Sequence, residues 1–281
     1  VPFFWTLQHI WPLLLLNSAI LLVVFALVDR HFLKKEDTQH IENEKLELEA
    51  SKKEPMRVEG LINLVFLAII ILGVLCNGLL AGVNDELIVV NEHCKLGVNW
   101  FAEIILIAIA MVLSLKFTPK KLREDNEFEW GPIAEVARLF IGIFITMIPA
   151  LLILGAKGSE LGLNSPAAFF WATGALSSFL DNSPTYVVFL TCAGSLGDTL
   201  PNAIVTTVGG VDPIMLLAIS AGAVFFGAIT YIGNAPNFMV KSIAESNDVK
   251  MPSFFGYMKW SIAFLVPVFI IDMLIWFNPF F

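Results

Sequence analysis

Two short stretches hold the residues whose types and spacing could do chemistry. The first is Asp181-Asn182-Ser183-Pro184-Thr185, and the second is Gly233-Asn234-Ala235-Pro236-Asn237. Each interrupts an otherwise apolar run, residues 167–193 and 213–244. Pro184 and Pro236 lack an N–H and clash with the preceding turn, so a helix cannot pass through them smoothly. The residue before a proline is pushed towards extended backbone, which makes Ser183 the expected N-cap and Pro184 the first residue of a new half-helix. Gly233 permits an unusual backbone conformation. Aligned, Asn182-Ser183-Pro184-Thr185 and Asn234-Ala235-Pro236-Asn237 both read Asn-small-Pro-polar, 52 residues apart.

Such breaks have a definite chemistry. Freed backbone carbonyls can coordinate a cation, and half-helix N-termini attract an anion. Asp181 adds a carboxylate able to bind Na+ or H+, with Asn182, Ser183 and Thr185 supplying oxygens or orienting it. Gly233, Asn234 and Asn237 would supply carbonyls and a half-helix N-terminus. Ser177, Ser178 and Thr230 are candidates to line the same site.

Other chemistries lack their parts. Aspartyl hydrolysis needs two carboxylates sharing a site, and only Asp181 is expected at depth. Serine chemistry needs a base, and no His lies near Ser177, Ser178 or Ser183 in sequence. Cys76, Cys94 and Cys192 form no CxxC and no metal-ligand spacing with His9, His31, His40 or His93, so no transition metal is expected. No GxxxxGK[ST] is present, which leaves ATP-driven transport by this chain unsupported. An intramembrane hydrolase and a non-transporting membrane subunit are therefore remote alternatives, and no cofactor is called for beyond a coupling ion.

The elements that must position these residues follow from composition. Of 281 residues, 57% are hydrophobic and 15% charged, with mean hydropathy +0.78. A soluble domain is roughly 45–50% apolar and about 25% charged. This excess excludes a cytosolic enzyme and a disordered chain, and it predicts an all-α polytopic membrane protein whose first partner is the lipid bilayer. The net charge of −8 leaves no basic face for nucleic acid.

A membrane crossing takes about 20 apolar residues. Crossings are expected over 10–28, 61–81, 100–115, 133–154 and 260–277, with 213–244 crossing as a broken helix. The chain divides into a first span (1–29), a charged insert (30–57) and a larger helical region (58–281). Asn17 and Asn77 are expected to hydrogen-bond between helices, and Gly174, Ser177, Ser178, Gly222, Ala223 and Gly227 to permit close packing. Glu135 and Arg138 are expected to pair on one helix. Asp272 is expected near the outer end of its span, within reach of water.

Charge sets the orientation. If residues 30–57 and 116–130 are cytoplasmic and 167–193 dips in and returns as a re-entrant hairpin, fourteen of the seventeen basic residues lie on or near the inner side. A full crossing by 167–193 would instead put the Lys/Arg-free loop 194–212 in the cytoplasm. The hairpin is the better fit, with the C-terminus outside.

The stretches GALSSFLDNSPTYVVF and GAVFFGAITYIGNAPNFMVKSIAE, with VKMPSFFGYM after them, resemble the family described as putative citrate transport. That family lies in the ion transporter superfamily, beside the sodium:proton antiporters of the NhaD type and the arsenite and dicarboxylate carriers. The resemblance covers most of 131–279 closely and 1–28 loosely. It implies two inverted repeats, each with a re-entrant hairpin and a discontinuous helix, and a homodimer for the full-length protein. Asp181 stands where carboxylate carriers of the superfamily have the first residue of Ser-Asn-Thr, which puts simple dicarboxylate symport in doubt. With one hairpin and one broken helix visible, the chain is expected to be the C-terminal part of a longer carrier.

The sequence thus points to a secondary active ion transporter of a bacterial inner membrane, working by alternating access. Na+/H+ antiport ranks slightly ahead of uptake of citrate or another carboxylate, because no Lys or Arg accompanies the breaks. The topology is testable: a Cys placed in 194–212 should react with an impermeant thiol reagent from outside only, and labelling solely from the cytoplasm would rule out the hairpin.

Overall fold

The computed structural model describes residues 4–33, 59–80, 86–91, 94–126, 128, 130–196, 203–206, 209–246 and 249–277. Most of the charged insert therefore lies outside the described residues, as do His40, His93 and the side chains of Cys94 and Glu135, and with the last the expected Glu135–Arg138 pair. The chain forms two compact units, residues 1–20 with 133–281 and residues 21–132. Among the described residues, five helices are long and apolar enough to cross a membrane. Their large apolar side chains are widely exposed, as at Leu22, Phe25, Leu64, Ile104, Ile145 and Leu152. Lipid in place of water makes that exposure favourable, so the chain is an integral membrane protein of mostly helical build.

In residues 21–132, α2 (Ile62–Leu80) and α3 (Val98–Phe117) pack along each other. A short antiparallel hairpin of β1 (Glu86–Asn91) and β2 (Cys94–Gly97) joins them. Asn77 donates to the Glu103 carboxylate and accepts from Asn99 Nδ2 at 2.7 Å, which is the interhelical role expected of it. The α3 C-terminus is closed by Arg123 of α4 (Lys120–Asp125), whose guanidinium reaches Ser114 O and Thr118 O at 3.1 and 3.2 Å and also Leu115 O. A cation there satisfies end carbonyls and the helix dipole together.

The other unit holds both breaks. It includes the first turns of α1 (Trp5–Leu33), α5 (Gly131–Lys157) and a set of shorter helices. These are α6 (Pro166–Ser177), α7 (Asn182–Gly194), α8 (Pro213–Phe225), α9 (Ala235–Ser246) and α10 (Phe254–Trp276). Three of the helix starts are set by short polar side chains. Ser165 Oγ accepts from Ala168 N, Asp212 Oδ1 from Ile214 N and Met215 N, and Ser253 Oγ from Gly256 N. Pro166 and Pro213 follow two of these caps at the first helical position, where a missing N–H costs nothing. The loop before α8 is not wholly irregular: β3 (Ile204–Thr206) and β4 (Gly209–Val211) form a two-stranded ladder with Ile204 opposite Val211. The two small hairpins qualify the all-α expectation.

An aromatic cluster fills the centre of this unit. Phe226 stacks on Phe269 with centroids 4.1 Å apart and meets Phe170 and Trp171 edge-on at 5.2 and 5.3 Å. Gly174 makes room for it, since a Cβ there would lie 2.5 Å from Phe226 Cγ. Gly174→Val should therefore overpack this cluster and cost about 1–3 kcal/mol, read as a lower thermal midpoint of the purified protein. An unchanged midpoint would mean the cluster yields freely.

Candidate functional site

The first break is a short turn. Helix α6 ends at Ser177, the chain turns through Ser178–Asp181, and α7 begins at Asn182. The N-cap is Asp181 rather than Ser183, with extended φ −64° and ψ 144°. Its carbonyl accepts from Thr185 N at 3.3 Å and Thr185 Oγ1 at 2.9 Å. Pro184 then falls inside the first turn, where N–H groups have no intrahelical partner, so its missing donor is harmless.

The second break is longer than the sequence indicates. Helix α8 stops at Phe225, eight residues before Gly233. A 3-10 turn follows over Phe226–Ile229, then extended and bent chain to Asn234. The polar groups of this run are met individually. Phe226 O accepts from Ser178 Oγ (3.3 Å), Gly227 O from Asn237 Nδ2 (3.0 Å) and Ala228 O from the Tyr257 hydroxyl (2.9 Å). Ile229 O accepts from Ser261 Oγ (2.6 Å) and Thr230 O from Asn237 Nδ2 (3.0 Å).

The two breaks interlock. Thr230 Oγ1 donates to Ser178 O and accepts from Gly233 N. Asn182 is oriented by the acceptors around it: turned so that its nitrogen faces them, Nδ2 lies 2.9 Å from Ala223 O and 3.1 Å from Gly233 O. Ser177 Oγ, 2.9 Å from the same amide, donates to Ala223 O at 2.6 Å. Gly233 sits at the junction, where a Cβ would lie 2.6 Å from Ser178 O and 2.8 Å from Gly227 O. Only glycine permits that approach.

The predicted site residues thus divide in two. Ser177, Ser178, Thr185, Thr230, Gly233 and Asn237 are buried or half-buried and spend hydrogen bonds on holding the breaks together. Asn234 O accepts from Asn237 N in the first turn of α9, and Pro236 is exposed there. Asp181 and Ser183 are exposed at the tip of the turn, with Asn182 half-buried between them.

Beside that tip lies a cavity of about 390 Å³, lined by Thr6, Ile10, Asn182, Ser183, Tyr186, Val187, Ser220, Ala223 and Val224. No Lys, Arg, Asp or Glu lines it. Its polar equipment is one amide and four hydroxyls, set at the start of α7. Sequence reading missed Thr6, Tyr186 and Ser220, since single polar residues on apolar helices carry no signal until the helices are packed. It also missed Tyr257 and Ser261, whose roles depend on carbonyls about 30 residues earlier. Among the described residues, no group of three or more His, Cys, Asp or Glu could hold a metal ion.

A family model described as putative citrate transport matches residues 1–277. No curated protein and no solved structure matches the chain.

Asn237 serves two carbonyls of the break at once, so Asn237→Ala should strand both. The expected loss is about 1–3 kcal/mol per unsatisfied buried group, measured as a lowered thermal midpoint, with Asn237→Gln only partly restoring it. A midpoint unchanged by Asn237→Ala would mean water takes the amide's place.

Proposed function

Because the chain belongs to the family described as putative citrate transport, we propose that it is a secondary active carrier of a citrate-type carboxylate, coupled to Na+ or H+. The observation that carries this reading is the cavity at the start of α7. Its volume falls in the range of small-molecule sites, roughly 300–1,000 Å³. Its lining offers neutral hydrogen-bond donors to an anion, and the N-terminus of α7 adds unpaired N–H groups and a positive dipole end. Ser183 and the N–H groups at the start of α7 take the carboxylate, and exposed Asp181 beside them takes the coupling cation. That cation offsets charge which no Lys or Arg of the lining offsets.

Two broken segments that share hydrogen bonds give alternating access a physical basis. The turn 178–181 and the run 226–234 move as one, carrying Asn182 and Gly233 together. In this reading the protein sits in a bacterial inner membrane with residues 30–57 and 116–130 cytoplasmic, and 167–193 is a re-entrant hairpin. Na+/H+ antiport is the second reading. The exposure of Asp181, in a tip otherwise without charge, favours it.

Reconstituted intact protein separates the two. Carboxylate carriage predicts labelled citrate uptake that depends on a Na+ or H+ gradient. Ser183→Ala should raise KM about 10- to 100-fold, the equivalent of one hydrogen bond to a charged group at about 1.5–3 kcal/mol. Asp181→Asn should abolish the gradient dependence while expression persists. A Na+-driven pH change without citrate flux would transfer the case to antiport, and neither flux would defeat both readings.

A further inference from the structure

A second polar site lies away from the breaks. Asp272 of α10 is completely buried, at 0% exposure, and Asn17 of α1 is 6% exposed. Asn17 Nδ2 donates to Asp272 Oδ2 at 2.8 Å. This fulfils the interhelical role expected of Asn17, but it overturns the expectation that Asp272 meets water near the end of its span. The bond leaves two buried atoms without any partner, Asn17 Oδ1 and Asp272 Oδ1.

Those two atoms are complementary in one protonation state. An ionised carboxylate accepts only, and an amide oxygen accepts only, so neither can serve the other. A protonated carboxylic acid has one donor and one acceptor, matching an amide. A proton on Oδ1 of Asp272 would donate to Asn17 Oδ1, beside the existing bond from Nδ2 to Oδ2, and leave no orphan.

Among the described residues, the packed elements carry no charged partner for the acid. Helices α6 and α8 and the 226–229 turn contain no titratable side chain. Helix α1 brings His9 within this unit, about 12 Å along the helix from Asn17, and α10 brings Tyr257 and Lys259, about 20 Å along from Asp272. Helix α7 brings Tyr186 and Cys192. Leu13, Val268 and Phe269, one turn away on the two helices, are buried hydrocarbon. Hard cations gather about six oxygens, and two unpartnered oxygens do not make such a site.

We propose that Asp272 and Asn17 form a proton-binding site, an acid–amide pair that is neutral when loaded. Separation of α1 from α10 would hydrate the acid and release its proton to water as the carboxylate forms. Use of that proton for coupling rests on the carrier reading above; the site itself does not.

Infrared difference spectroscopy of the intact purified protein, between acid and alkaline buffer, reads the site without any cargo. The expected result is a protonated carboxyl C=O band in the wild type at neutral pH that is lost in Asp272→Asn. In Asn17→Leu the band should shift to higher frequency as its hydrogen bonds are removed. Asp272→Asn reproduces the donor and acceptor of the neutral acid, so it should fold and keep the wild-type thermal midpoint. Identical spectra for wild type and Asp272→Asn would overturn the proposal, as would a band that Na+ removes at constant pH. Absence of citrate flux would count against the carrier and leave this result standing.

Discussion

A helix cannot simply stop inside an apolar layer. Each residue past the stop exposes a carbonyl that has lost its donor four residues on, and lipid supplies no substitute. The run 226–230 presents five carbonyls without their α-helical donor; the 3-10 turn restores part of the bonding, and five donations from four side chains supply the rest. Most of the surrounding architecture answers to that requirement. Helix α10 is placed where Tyr257 and Ser261 can reach back, α9 starts where Asn237 can span two carbonyls, and α6 ends where Ser178 meets Phe226 O. The Phe226 ring, whose own carbonyl is one of the five, is fixed by Phe170, Trp171 and Phe269.

The same economy ties the breaks together. Each borrows from the other: Ser178 serves the second break, Thr230 serves Ser178 O, and Asn182 bridges to Gly233. Moving one segment alone would orphan several buried groups, at about 1–3 kcal/mol each. Moving both together costs none of these. Shared hydrogen bonding therefore makes the pair a mechanical unit, with Asp181 and Ser183 exposed at its tip.

Much of this was legible in the sequence where proline and glycine carry it. Pro184, Pro236 and Gly233 located both interruptions, but the Asn-small-Pro-polar match did not reveal that the second is much longer than the first. The start of the second break was not legible, because Phe226-Gly227-Ala228-Ile229 is as apolar as a helix, has no proline, and its one glycine reads equally as a close-packing residue. Its end at Phe225 follows from tertiary donors far along the chain. The N-cap shifted from Ser183 to Asp181 because Thr185 closes back on the Asp181 carbonyl. Asp272 does lie near the end of its helix, but the expected contact with water fails for a similar reason, since it is buried against Asn17, 255 residues earlier.

The polar groups of this unit can be sorted by whether they have partners left to gain. Those of the breaks have almost none, so they favour a fixed geometry over ligand exchange. The cavity lining has four uncharged hydroxyls, donors that suit the proposed anion and can also release it. A charged Lys or Arg there would hold a carboxylate more tightly in both the outward and inward states. It would also leave an unpaired buried cation whenever the site emptied, a state that costs several kcal/mol. Neutral donors avoid that penalty, since water can replace the cargo. If the protein is the carrier proposed above, which must return empty or reloaded through the same membrane, an uncharged lining with its counter-charge supplied by a mobile cation is the arrangement that keeps both half-cycles accessible.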